Sequence, residues 1–381
     1  MRNIDIRTIT NPVTSHVSHP HAMGHRGSAL DYSRNPLIVY WEMTQACGLA
    51  CRHCRAEACA TPDPRQLNHE ESRNLLEQIA SFDDPLPHLI LTGGDPLQRE
   101  DLIEVIDYAR QLGIHTSITP AVTNILTFDA MAQLKAHGID SFGLSLDGSN
   151  AERHEGVRGV AGCFDATVAA MQNAAKLGVP IQVNTLVSQE TIDDLPAVYE
   201  LLKKQTVMRW SLFFLIEVGR GRVLQPVSPE QGEELMRWVF EQSKTAPFAI
   251  KTTEAPSYRR IALDEMRKEG MVAAEIERTS VYRGFGIRDG HGIVFVSNVG
   301  DVYPAGFLPL AIGNVREDQL VELYRDAPLM QSLHNPQEFH GKCGHCEYRA
   351  ICGGSRARAF AATGDPLGSD PFCRYQPALV H

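Results

Sequence analysis

The segment "WEMTQACGLACRHCRAEACA", Trp41 to Ala60, gathers four of the chain's nine cysteines. Three of them, Cys47, Cys51 and Cys54, follow the spacing C-x3-C-x2-C. Thiolate sulfur selects zinc, copper or iron–sulfur clusters. A closed tetrahedral zinc site needs four ligands. Either a fourth arrives from elsewhere, with Cys59 the nearest candidate, or one coordination position is left open. His53 is a poor fourth ligand, because it sits between two ligands only three residues apart. A second group, Cys343, Cys346, Cys352 and Cys373, closes the chain. Four thiolates suit either zinc or a [4Fe-4S] cluster. Two metal centres account for both groups. Cys163 and Cys59 are left over and read as a buried small residue and a reduced thiol.

These groups need elements to hold them. The 381 residues exceed the ~100–200 of one ordinary domain, so one large domain with a smaller appendix is expected. A hydrophobic content of 43% is enough for a sizeable core. The net charge of −10 and the lack of a basic run argue against nucleic acid or an anionic membrane as partner. No apolar run reaches the ~18 residues of a membrane span, and no signal pattern opens the chain. A soluble, cytoplasmic protein is expected, where clustered cysteines mean metal or redox chemistry. Residues 1–35 carry His16, His19, His21 and His25 without periodicity and read as a flexible tail.

Beyond the tail, "PLIVYWEMT" reads as a buried strand, and "NHEESRNLLEQIASF" as a helix opened by the Asn68/Glu71 capping box. Strands "HLILT", "IHTSIT", "SFGLSL", "IQVNTLV" and "RWSLFFLI" then alternate with helices. Such β-α units form a right-handed parallel sheet covered by helices. Six units, against the eight of a closed barrel, give an α/β fold, a partial (β/α)6 barrel over residues 36–220. Residues 221–284 read as a helical connection. Residues 285–381 read as a small separate C-terminal module that carries the late cysteines, opened by a hairpin around Asn298–Gly300.

The triple-cysteine loop leaves the first strand at the C-terminal rim, where parallel β/α folds keep their chemistry. "TGGDP" after the second strand, "SLDG" after the fourth and Asn184 on the fifth share that rim. Paired glycines let a ligand approach the backbone and its N–H groups. Together these motifs resemble the radical S-adenosylmethionine (radical SAM) enzymes over roughly residues 37–220. The resemblance implies that Cys47, Cys51 and Cys54 hold three irons of a [4Fe-4S] cluster, and that S-adenosylmethionine chelates the open fourth iron. It implies that Gly93, Gly94 and Asp95 meet the methionine amino group, that Ser145 and Asp147 lie toward the ribose, and that Arg158 steadies the carboxylate. Two departures stand out: Asp95 where the family commonly has Glu, and His53 where it commonly has an aromatic residue.

The late cysteines resemble the SPASM auxiliary-cluster module in shortened form. Ala305 and Ser355 or Arg356 fall where further cysteines are expected, so one auxiliary [4Fe-4S] cluster on Cys343, Cys346, Cys352 and Cys373 is implied, serving electron transfer. A low-potential donor such as flavodoxin or ferredoxin is the implied redox partner. "EYRAICGGSRARA" and "TGDPL" with "DPFC" are similar to enzymes that trim tetrapyrrole side chains by abstracting hydrogen beside a propionate carboxylate. Arg349, Arg356 and Arg358 are candidates to pair with propionates, against a structural role for each. The competing substrate is a ribosomal peptide, although few residues precede the first strand to form a peptide-binding domain. A non-enzymatic iron–sulfur electron carrier or sensor explains the cysteines but not the glycine-rich rim.

Overall fold

The computed structural model describes residues 31–377; the histidines of the expected tail lie outside them. Ten strands form one sheet: β1 (Ile38–Thr44), β2 (His88–Gly93), β3 (Thr116–Ile118), β4 (Ser141–Ser145), β5 (Ile181–Val187), β6 (Arg209–Phe214), β7 (Ala249–Thr253), β8 (Ile293–Val296), β9 (Asp301–Tyr303) and β10 (Gly313–Asn314). Their order is β10-β9-β8-β1-β2-β3-β4-β5-β6-β7, open between β10 and β7. β1 to β7 run parallel to their neighbours, as the alternation of strand and helix dictates. The result is an incomplete barrel.

The six expected strands are present, and the capping box forms as read: Glu71 N–H donates to Asn68 and Asn68 N–H to the Glu71 carboxylate. The strand β7 and the place of β8 in the sheet were not expected. β7 lies inside the stretch read as helical and pairs parallel with β6. Its residues AIKTT are partly exposed and lack an apolar face, the usual condition of an edge strand. β8 pairs parallel with β1, Ile38 opposite Ile293. The expected hairpin therefore does form, with β9 antiparallel to β8, but within the main sheet. The reason is burial. Val294 and Val296 are fully buried, and they cover β1 on the side away from β2.

A helix over Ala151–Arg158 was also not expected. Its sequence AERHEGVR has no apolar stripe and contains Gly156. It is set by its ends: the Asn150 side chain accepts from Arg153 N–H, and Gly159 closes it at φ 72°. Among the described residues no helix is long and apolar enough to cross a membrane.

Candidate functional site

β1 delivers the chain to the rim, and a backbone staple closes the cysteine loop. Cys47 N–H donates to Cys59 O at 2.8 Å and Cys59 N–H to Gln45 O at 3.0 Å. Within the loop, Cys47, Cys51 and Cys54 line a cavity of about 270 Å³. Cys59 does not. It is exposed, and its thiol donates to Thr61 O at 3.0 Å. Cys59 therefore stands outside the set, and among the described residues no fourth sulfur lines this cavity. No three His, Cys, Asp or Glu side chains among the described residues converge on a position for a single ion. A cluster binds each thiolate at a different iron, so it does not need that convergence.

The donors around the three sulfurs suit thiolates. Leu49 N–H points to Cys47 Sγ at 3.3 Å, Ala58 N–H to Cys54 Sγ at 3.5 Å, and Arg158 Nη2 to Cys51 Sγ at 3.4 Å. Burial pushes the Cys47 and Cys51 thiols up as free groups. A coordinated metal removes those protons outright, and the residues present fit a three-thiolate cluster.

Gly93 and Gly94 press the end of β2 onto the start of this loop. A Cβ on Gly93 would sit 2.3 Å from Thr44 O, and one on Gly94 would sit 2.4 Å from Ala46 O. The N–H groups of Gly94 and Asp95 are already bonded to Thr44 O and Ala46 O. This corrects the expectation of free amides at Gly94 and Asp95. Asp95 departs further from expectation. It is fully buried, does not line the cavity, and accepts from Leu97 N–H, Ala121 N–H and Thr123 Oγ1. Its carboxylate fixes the loop after β3, whose Pro120 and Ala121 do line the cavity. Burial raises its pKa.

From β4 and β5, Ser145, Asp147 and Asn184 line the cavity as expected. Asn184 also accepts from Gln182 at 2.8 Å. The Asp147 carboxylate is heavily engaged. It accepts from Arg158 Nη1 at 2.9 Å and Leu186 N–H at 2.8 Å, and His53 Nε2 lies 3.5 Å away. Burial pushes the Asp147 carboxyl up, but His53, Arg158, His154 and Leu186 N–H together bring it below the ordinary value. Arg158 thus links Asp147 to Cys51 from the end of the short helix. Arg52 N–H, bonded to Arg158 O at 3.0 Å, docks that helix on the cysteine loop. His53 faces Asp147, and burial favours its neutral form.

Part of the cavity wall went unread in the sequence. Phe213 and Phe214 at the end of β6, Leu215, Ile216 and Val218 beyond it, and Phe307 from the C-terminal segment form an apolar face. Apolar residues at a strand end look like core, and nothing in their spacing marks them as lining.

The four late cysteines surround a second cavity of about 20 Å³. Cys343 Sγ accepts from Asp370 N–H at 3.4 Å, Cys346 Sγ from Tyr348 N–H at 3.4 Å, and Cys352 Sγ from Gly354 N–H at 3.4 Å. The three arginines singled out for propionates do not line the larger cavity. Arg356 is fully buried and bonded to Gly368 O and Pro366 O, Arg349 to Gly344 O and Gln337, and Arg358 to Glu254 O and Leu215 O. Backbone carbonyls in tight turns satisfy these donors first, so the structural role is the one observed.

An incomplete parallel barrel with three thiols in the loop after its first strand and a glycine pair after its second is the architecture of an enzyme that cleaves S-adenosylmethionine on an iron–sulfur cluster. The model of the radical SAM superfamily matches residues 41–202. An AdoMet-dependent heme synthase of Methanosarcina barkeri is 37% identical over 344 residues, covering 90% of this chain and 97% of that one. An enzyme of the same name from Oleidesulfovibrio alaskensis is 34% identical over 378 residues, covering 94% and 97%. Among solved structures, Streptococcus suis SuiB bound to S-adenosylmethionine matches with a TM-score of 0.68 and 17% identity, over 90% of this chain and 78% of that one, a likeness of fold. The chain belongs to the radical SAM superfamily. Its cofactors are a [4Fe-4S] cluster and S-adenosylmethionine. The alternative of a non-enzymatic electron carrier falls with that membership.

Proposed function

We propose that this enzyme oxidatively decarboxylates propionate side chains of an iron tetrapyrrole. The observation that carries the reading is identity of 37% to a haem synthase across 90% of the chain. The apolar residues Phe213, Phe214, Leu215, Ile216, Val218 and Phe307, which line the same cavity as the three thiols, support it by offering a surface for a flat macrocycle. Cys47, Cys51 and Cys54 would hold the cluster with its open iron. Carbonyls at Gly93 and Gly94 would accept from the methionine amino group, with Asp95 positioning the neighbouring loop. Arg158, held by Asp147, would meet the carboxylate, and Ser145 and Asn184 the ribose side. When bound and reduced, the cluster and S-adenosylmethionine supply a 5′-deoxyadenosyl radical that takes a hydrogen atom from the substrate. The protein's part is to orient the side chain and exclude water. Cys343, Cys346, Cys352 and Cys373 would hold an auxiliary [4Fe-4S] cluster. A low-potential flavodoxin or ferredoxin would supply electrons in the cytoplasm.

The test uses anaerobically reconstituted protein with dithionite, S-adenosylmethionine and an iron porphyrin bearing propionates. About eight irons per chain, 5′-deoxyadenosine and conversion of propionate to vinyl are expected. Zinc in place of iron would overturn the cluster assignments. SuiB has also been solved bound to its precursor peptide SuiA, at 17% identity to this chain. Nucleoside formation with peptide but never with porphyrin would transfer the substrate class accordingly.

A further inference from the structure

Phe214 and Phe372 join the two cysteine sites. Phe214 ends β6 and lines the larger cavity. Its ring meets that of Phe372 edge to face, with centroids 5.7 Å apart and planes at 65°. Phe372 directly precedes Cys373, one of the four thiols of the second site. The Phe372 ring is buried and clamped from two further sides. The Arg358 guanidinium lies 4.7 Å over it, while Arg358 Nη2 donates to Leu215 O in the cavity wall at 3.4 Å. On the helix Pro229–Ser243, Gly232 leaves the space the ring fills: a Cβ there would lie 2.0 Å from Phe372 Cζ. Asp370 fixes the turn by accepting from Phe372 N–H at 3.0 Å, and its own N–H points to Cys343 Sγ.

We propose that the Phe214–Phe372 pair is the electron path from the substrate cavity to the auxiliary cluster. This rests on the decarboxylation reading above. After hydrogen is removed from the propionate carbon next to the macrocycle, the bond to the carboxylate breaks and carbon dioxide leaves. Of the two electrons of that bond, one pairs with the radical electron to form the vinyl π bond. The other must leave the substrate. Cys343, Cys346, Cys352 and Cys373 would hold its acceptor, an oxidised auxiliary [4Fe-4S] cluster that would take up one electron. Tunnelling rates fall steeply across empty gaps and hold up through packed atoms. Two rings in contact, the second attached to the residue beside a cluster ligand, form such a packed route. Phe372 lines neither cavity and acts by position.

The test compares the reconstituted native enzyme with Phe372→Ala, Phe372→Tyr and Gly232→Ala in single turnovers on the iron porphyrin. Freeze-quench electron paramagnetic resonance follows the organic radical and the reduced auxiliary cluster, while nucleoside and vinyl product are counted. Gly232→Ala displaces the ring without altering a residue of either site, so it stays informative if Phe372→Ala loses iron. Expected is normal 5′-deoxyadenosine, less product per nucleoside, a persisting organic radical and delayed cluster reduction in both disruptive variants. Phe372→Tyr should behave as native. Native kinetics of cluster reduction in Gly232→Ala and Phe372→Ala would overturn the path. Failure of the native enzyme to convert the porphyrin at all would instead overturn the decarboxylation reading.

Discussion

The Arg158–Asp147 pair offers the sharpest test of how the rim is built. Both side chains are nearly buried, at 12% and 3% exposure, and their charged atoms lie 2.9 Å apart. At an effective dielectric near 20 the attraction at that distance is about 6 kcal/mol, much of it offset by desolvation. Removing one partner leaves the other as a buried, uncompensated charge, which costs about 3–5 kcal/mol. Arg158→Met, which keeps the stem, should therefore lower stability by about that amount. Asp147→Asn should cost less, because the amide oxygen can still accept from Leu186 N–H. The double variant should be more stable than the sum of the two losses by about 2 kcal/mol, since no charge is left alone. Anaerobic urea unfolding with thiols kept reduced gives these values, provided the slope m is the same in all four proteins. Losses that add to within about 0.5 kcal/mol would refute the coupling, and with it the reading that Asp147 holds Arg158. In parallel, Arg158→Met should weaken S-adenosylmethionine binding while Cys51 still holds iron.

Further outcomes follow from the same geometry. Cys59→Ser should leave iron content and nucleoside formation unchanged, whereas Cys47, Cys51 and Cys54 replaced together by Ala should abolish nucleoside and leave about four irons, by iron and sulfide analysis. Gly94→Ala should cost S-adenosylmethionine binding, measured by calorimetry, because its Cβ would meet the backbone of Ala46 at 2.4 Å rather than a side chain able to move. His88, His154 and His334 are each lowered by burial to about 4. The unfolded chain then binds protons first, so stability is complete above the ordinary histidine value near 6.5 and falls as pH drops from there toward 4. A urea midpoint that stays constant over that range would contradict their neutral burial.

The sequence by itself determined the chemistry and the first six strands. Cysteine spacing is a local property, and Cys47, Cys51 and Cys54 need only an eight-residue span of loop to act together. Periodicity from β1 to β6 is equally local, as is the Asn68–Glu71 cap. Where the reading fell short, the cause was a partner distant in the chain. β7 has no apolar face of its own and is a strand because β6 is there to pair with it. β8 joined the main sheet because the free edge of β1, some 255 positions earlier by the register Ile38 to Ile293, needed covering. The helix ending in Arg158 is capped locally by Asn150 and Gly159, but where it docks is decided by the cysteine loop through Arg52 N–H and Arg158 O. Asp95 was read as a ligand contact by its place in a motif, yet tertiary structure turned its short side chain to the loop after β3. Only the folded chain could bring Phe372 against Phe214, because an aromatic residue beside a cysteine carries no mark of what its ring will touch. Local sequence specifies which groups are available; which of them remain free for a ligand is decided by the backbone donors and packed rings that reach them first.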